Sequence, residues 1–193
     1  MQKKIVVHMY LKNGKAVTGF DGKELLEDGD VMSIAQHYSN NGADELLIFD
    51  LSDDDADHEQ SLNLIRQISR VIDIPMSGGG HIKNLEDVKK LLYAGCQQVF
   101  LNYAKAANID LTEEKIAICT DSFAQLQANK ARVNEYTSRV ILLCDEVDVR
   151  TTARLVEVPV LPVSTRADRH GLLKLLMLDN ICGVCGDTFS DLN

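Results

Sequence analysis

A (β/α)8 barrel, small and with short loops, is the fold that this 193-residue sequence predicts. Three observations lead there. Strand-like runs rich in β-branched residues alternate with helical periodicity along the whole chain, which calls for a parallel sheet joined by right-handed crossovers. Eight such units can be read, with no final helix expected because Asp187 to Asn193 is too short. The units also fall into two similar runs of four. Val158-Pro159-Val160-Leu161-Pro162-Val163-Ser164 stands in the place of Ile74-Pro75-Met76-Ser77, and His170 to Leu176 mirrors Val88 to Leu92. A repeat of four plus four fits a (β/α)8 barrel, and an open doubly wound sheet is the alternative. No linker-like stretch divides the chain, so one domain over 1–193 is expected, with halves of about 1–113 and 114–193.

The elements follow in order. Lys4 to Tyr10 is a β-branched strand, and Lys12-Asn13-Gly14-Lys15 is a turn carrying the Asn-Gly hairpin signal, from which Ala16 to Gly19 returns as a short strand. Asp30 is a natural N-cap for a helix with Val31, Ile34, Ala35 and Tyr38 on one face, which Asn41-Gly42 stops. Glu45 to Asp50 is the next strand. The acidic run Ser52 to Glu59 lacks the glycine and spacing of a calcium loop and reads as a solvated loop that caps the helix Ser61 to Val71. Ile74 to Ser77 leads into the glycine run, and Asn84 opens the helix Leu85 to Tyr93, which ends at Ala94-Gly95 before the strand Gln98 to Asn102. Strands are then expected at Lys115–Asp121, Ser138–Asp145, Val158–Ser164 and Ile181–Gly186, with helices at Ser122–Glu135, at Val149–Val156 and around His170–Leu176.

Composition narrows the function classes. The 29 acidic residues outweigh 20 basic ones for a formal charge of −9, which argues against nucleic acid, whose phosphates demand a basic face. A small phosphorylated ligand needs only local donors and stays open. No apolar run approaches a membrane span, and the start of the chain is too short in apolar residues for a signal peptide, so a soluble, cytoplasmic protein is expected. The five cysteines are scattered and odd in number, unlike a disulfide framework. Cys182-Gly183-Val184-Cys185 has C-x-x-C spacing, but residues three apart on a strand point to opposite faces, so no metal or cofactor is expected there.

Gly78-Gly79-Gly80 is the stretch with functional weight. Glycines let a backbone approach a ligand without a Cβ in the way, and amides at a glycine turn ahead of a helix suit an anion such as phosphate. The competing reading is a plain tight turn.

Laid out in this way, the chain resembles the cyclase subunit of imidazole glycerol phosphate synthase and its isomerase relative in histidine biosynthesis. The carrying segments are Leu11 to Val17, Gly42 to Leu46 with Phe49-Asp50, Ile74-Pro75 with Gly78 to Gly80, and Ala94-Gly95 with Val99 and Asn102. The second half matches mainly through Val158-Pro159-Val160 and the helix after it. The resemblance implies a barrel with a phosphate cradled by backbone groups at Gly79, Gly80, Asn102 and Tyr103. It also exposes departures. The catalytic aspartate of the first strand is replaced by Tyr10, and a lysine after the hairpin turn by Thr18, while the second aspartate matches Asp121. Tyrosine is a poor base at pH 7, and losing one acid/base group costs about 10²- to 10⁴-fold. Ser164 to Asp168 stands where a Gly-Gly pair binds a second phosphate, Arg166 being read either as a substitute anion donor or as a surface arginine; Asp187 after the last strand would repel an anion. A glutaminase gate is matched by Lys4 and Glu45 but has Gln98 in place of a lysine.

The chain is thus also similar to the N-terminal extension found in some bacteria ahead of phosphoribosyl-AMP cyclohydrolase and phosphoribosyl-ATP pyrophosphohydrolase units. The expectation is a barrel that has lost the parent cyclase chemistry and binds a phosphoribosyl ligand or serves as a scaffold, beside a further histidine-pathway domain or a second copy. The alternative is an active cyclase or isomerase using Asp121 with Asp50 or His8.

Overall fold

The structure, a computed structural model, describes residues 1–103 and 116–192. The elements are β1 (Lys4–Lys12), β2 (Lys15–Val17), α1 (Val31–Asn40), β3 (Glu45–Asp50), α2 (Asp55–Val71), β4 (Met76–Gly79), α3 (Leu85–Ala94) and β5 (Gln98–Asn102). They continue as β6 (Ile116–Thr120), α4 (Phe123–Ala128), α5 (Lys130–Tyr136), β7 (Val140–Leu143), α6 (Val149–Ala153), β8 (Val160–Ser164), α7 (Arg169–Leu175), β9 (Gly183–Gly186) and α8 (Asp187–Ser190). The strands hydrogen-bond in the order β2-β1-β3-β4-β5-β6-β7-β8-β9, and β1 also pairs with β9. Strands in chain order whose last returns to the first define the (β/α)8 barrel, with β2 as a hairpin appendage. The contacts divide into two compact units, Val7–Val99 with Leu192, and Met1–Val6 with Phe100–Asp191.

In the unit of residues 7–99, Tyr10 pairs with Val17, Leu11 with Ala16 and Lys12 with Lys15. Asn13 (φ 51°) and Gly14 (φ 72°) make the two-residue turn between them, the positive φ pair whose twist matches antiparallel strands. α1 is capped by Asp30, which accepts the Met32 amide at 3.2 Å. It buries Val31, Ile34, Ala35 and Tyr38, the face that the sequence predicts. β3 lies parallel to β4 with Leu46 against Met76 and Phe49 against Gly79. α2 starts at Asp55, ahead of the expected Ser61, because the Asp54 carboxylate accepts the Asp57 amide at 2.8 Å. The acidic run therefore enters the helix, and Asp57 and His58 are buried rather than solvated. Asp55 and Asp57 lie in the first turn, where the positive end of the helix dipole favours carboxylates. α3 opens with a reciprocal capping box between Asn84 and Asp87. Leu46, Leu47, Ile48, Leu62, Ile65 and Ile68 fill the core between helices and strands.

In the unit of residues 1–6 and 100–191, Lys4, Ile5 and Val6 pair in parallel with Gly183, Val184 and Cys185. β7 lies parallel between β6 and β8, and β8 beside β9. Ile116, Ile118, Val140, Ile141, Val160 and Leu161 supply buried apolar surface. Three details differ from the sequence reading. The expected helix Ser122–Glu135 is two helices broken at Asn129 (φ −123°, ψ 18°), whose side-chain amide donates to the Gln125 carbonyl at 2.9 Å. The expected strand from Ile181 begins at Gly183, with Ile181 held only by a single bridge to Val160. A single helical turn, Asp187–Ser190, follows the last strand where no helix was expected. Lys115 and the expected boundary at 113/114 lie outside the described residues. Among the described residues no helix is long and apolar enough to cross a membrane.

Candidate functional site

The glycine run closes β4 beside the end of β3, and Asp50, the last residue of β3, organises what surrounds it. Gly80 (φ +103°) passes so near that a Cβ would fall 2.1 Å from the Asp50 carbonyl oxygen. That approach alone requires glycine here. The Asp50 side chain is fully buried and points to His58, its Oδ2 lying 2.5 Å from His58 Nδ1. Its Oδ1 accepts the Ser52 amide at 3.1 Å and also the Ser52 hydroxyl. A carboxylate accepts, so His58 Nδ1 carries the hydrogen. His58 Nε2 is buried without a hydrogen-bond partner among the described residues, as are both Asp57 carboxylate oxygens.

His81 lies over His58, the ring centroids 4.7 Å apart and the planes 29° from parallel. Its backbone is left-handed at φ 53°. His81 Nδ1 is 3.2 Å from the Ser52 carbonyl and Nε2 is 2.9 Å from Asp55 Oδ1. Both partners are acceptors, so both bonds form only when both ring nitrogens carry hydrogen. Lys83 Nζ reaches the same Asp55 oxygen at 2.8 Å. The His81 hydrogen bond first, then the Lys83 hydrogen bond and charge, hold the exposed Asp55 carboxyl down at about 2, and Asp55 in turn raises the Lys83 ammonium. The segment after the glycines is therefore tied to the α2 N-terminus by two side chains.

The first-strand position that carries an aspartate in the resembled cyclase is closed by aromatic packing. Tyr10 is 2% exposed, stacked on Phe49 at 5.3 Å and met edge-on by Phe20 at 4.8 Å. His8 is buried beside it at 4.9 Å. Glu45, one of the two gate matches, is buried and accepts the Ser77 hydroxyl at 2.8 Å.

The remaining candidates belong to the other unit, except Gln98, which opens β5 half-buried. Asn102 ends β5 exposed and Tyr103 follows half-buried, its hydroxyl raised by burial with the Arg132 charge opposing. Asp121 is exposed after β6. Burial first and the Asp121 charge second push the Cys119 thiol up to about 12. Burial likewise raises Cys96 to about 12, and burial followed by the Asp145 charge raises Cys144 to about 11, so none of these thiols offers a thiolate nucleophile at neutral pH. Cys182 is half-buried with its thiol 3.4 Å from the Val160 carbonyl, while Cys185 is buried on β9. Lys4 opens β1 opposite Gly183. Arg166 is 71% exposed and pairs with Glu146 at 2.5 Å, a surface ion pair. Sequence reasoning missed the roles of His58, His81 and Asp145. Only the closeness of His58 to the acidic run and of His81 to the glycines hinted at the first two.

Barrel, glycine loop and buried Asp–His pair define an α/β-barrel protein with a cluster of polar groups at the ends of β3 and β4. Comparison with known proteins narrows this. The sequence model of the family described as histidine biosynthesis protein matches residues 4–179, and the chain belongs to that family. It is 34% identical over 114 residues to imidazole glycerol phosphate synthase subunit HisF of Flavobacterium psychrophilum, covering 59% of this chain and 45% of the relative. The same subunit of Haemophilus influenzae is 30% identical over 162 residues, 79% of this chain and 60% of the relative. That of Sulfolobus acidocaldarius is 33% identical over 109 residues, 56% and 44%. The chain spans about half the length of most of these curated relatives.

Two outcomes test this geometry. Asp50→Ala lowers stability in urea by about 1–3 kcal/mol, the cost of leaving buried donors of His58 and Ser52 without their acceptor, and Asp50→Asn by less because its amide oxygen still accepts. In an NMR titration the Asp55 carboxyl gives a midpoint near 2, below the unfolded value of about 3.9. Its contribution to stability is complete above about pH 4 and is lost as the pH falls through the folded midpoint. Lys83→Ala moves that midpoint upward.

Proposed function

We propose that this chain is a histidine-biosynthesis barrel that has lost the cyclase chemistry and binds a phosphoribosyl ligand through its glycine loop. The observation that carries the reading is the packing of Tyr10 between Phe49, Phe20 and His8. Proton transfers shared between two carboxylates need both of them within reach of the ligand. A buried phenol packed among aromatic rings is a poor base at neutral pH, and Asp50 is committed to His58 and Ser52. Asp121 is then the one carboxylate left of the proposed pair. Backbone groups of Gly79 and Gly80 are the proposed phosphate donors of their unit, on the anion-binding logic of glycine loops and helix starts, and those of Asn102 and Tyr103 are proposed donors in the other unit. The relatives are named as subunits of a synthase, and a further histidine-pathway protein or a second copy of this chain is the proposed partner. Without ligand binding the same barrel would serve as the scaffold for that partner.

Calorimetric titration tests the reading. Ribose 5-phosphate binds with micromolar affinity, about −8 kcal/mol, ribose does not, and inorganic phosphate competes. No imidazole glycerol phosphate forms in a turnover assay. Turnover that falls about 10²- to 10⁴-fold in Asp121→Asn would establish instead the active enzyme built on that aspartate.

A further inference from the structure

The loops after the seventh and eighth barrel strands, together with a short extra helix, are a frequent phosphate site of (β/α)8 barrels. In this chain they follow β8 and β9. The first amide after β8 already has an anion. Asp145, from the loop after β7, accepts the Thr165 amide with both carboxylate oxygens at 3.1 Å. It also takes the Ser164 hydroxyl at 2.5 Å and the Thr165 hydroxyl at 2.5 Å. The next two amides are held from inside the same loop, Arg166 and Ala167 donating to Ser164 Oγ at 3.1 and 2.8 Å. The adjacent Glu146 takes the Arg166 guanidinium at 2.5 Å. At the start of α7, Asp168 takes the Gly171 amide at 2.6 Å. After β9, Asp187 brings a further negative charge to the first turn of α8.

A carboxylate receiving two hydroxyls and an amide is bound as a phosphate oxygen pair would be. Burial alone would raise the Asp145 carboxyl, but the Ser164 and Thr165 hydroxyls with the Thr165 and Arg166 amides outweigh it and hold it below its usual value. The charge is therefore kept at neutral pH, and an incoming phosphate would have to displace a covalently tethered competitor and then face Glu146, Asp168 and Asp187.

We infer that Asp145 is a specificity-determining residue that fills the β8 loop with the chain's own carboxylate, so that the protein takes a ligand anchored by a single phosphoryl group. The inference rests on the reading that the Gly79–Gly80 loop binds phosphate, and residue-resolved NMR separates the two. Inorganic phosphate is titrated into the 193-residue chain and into Asp145→Ala, with Asp145→Asn, which keeps the side-chain size and removes the charge, for the case in which the alanine variant does not fold. In the native chain the Thr165, Arg166 and Ala167 amide resonances stay in place, and in the variant they move. The native chain also binds ribose 5-phosphate and ribose 1,5-bisphosphate within about twofold, whereas the variant favours the bisphosphate by about tenfold, equal to about 1.4 kcal/mol. Movement of the Thr165 and Arg166 amides in the native chain, or no movement in either variant, overturns the role of Asp145. Silence of the Gly79 and Gly80 amides in every sample overturns the glycine-loop reading and leaves the role of Asp145 standing on the variant's response.

Discussion

The candidate site depends on Asp50 being used twice. Its carbonyl sits so close to Gly80 that no side chain fits there, and its carboxylate is buried against His58 and Ser52. A buried carboxylate is expensive unless paired and hydrogen-bonded, so the pair holds His58, in the first turns of the helix that Asp54 caps, against the end of β3. His81 then stacks on His58 and reaches Asp55, which carries the constraint into the segment ahead of α3. The glycine loop is thus positioned by side-chain chemistry on the neighbouring strand and helix.

That arrangement bears on catalysis through what it leaves over. A carboxylate that satisfies a histidine and a serine inside the protein has little capacity to shuttle protons for a ligand. Tyr10 gives the first strand aromatic packing where the resembled cyclase carries an acid. The loop after β8 shows the same tendency, since Asp145, Ser164 and Thr165 satisfy one another. In both places a carboxylate is satisfied by neighbouring side chains and amides of the chain itself.

Much of the fold was legible in the sequence because its signals are local. Asn13-Gly14 specifies its turn by backbone conformation, Asp30 and Asn84 cap the helices they precede, and the apolar periodicity of α1 matches the face that it buries. Helix boundaries were less legible. Asp54 recruits the acidic run into α2, and Asn129 divides one predicted helix into two, both through side-chain bonds that periodicity does not register. The site was read only in part. The glycines and Asp50 stood out by residue type, but the pairing of Asp50 with His58, the stacking of His81 and the reach of Asp145 to Thr165 depend on chain packing that no spacing rule encodes.

The most direct test of the proposal that the chain binds a phosphoribosyl ligand without cyclase chemistry is a phosphorus-31 NMR time course of the phosphoribosyl substrate of imidazole glycerol phosphate synthase, supplied with ammonia and this chain. The account predicts that the substrate resonances broaden or shift on binding and that no new phosphorus signal grows in. Steady appearance of a product phosphate signal would contradict it, and would make the chain a working enzyme despite Tyr10.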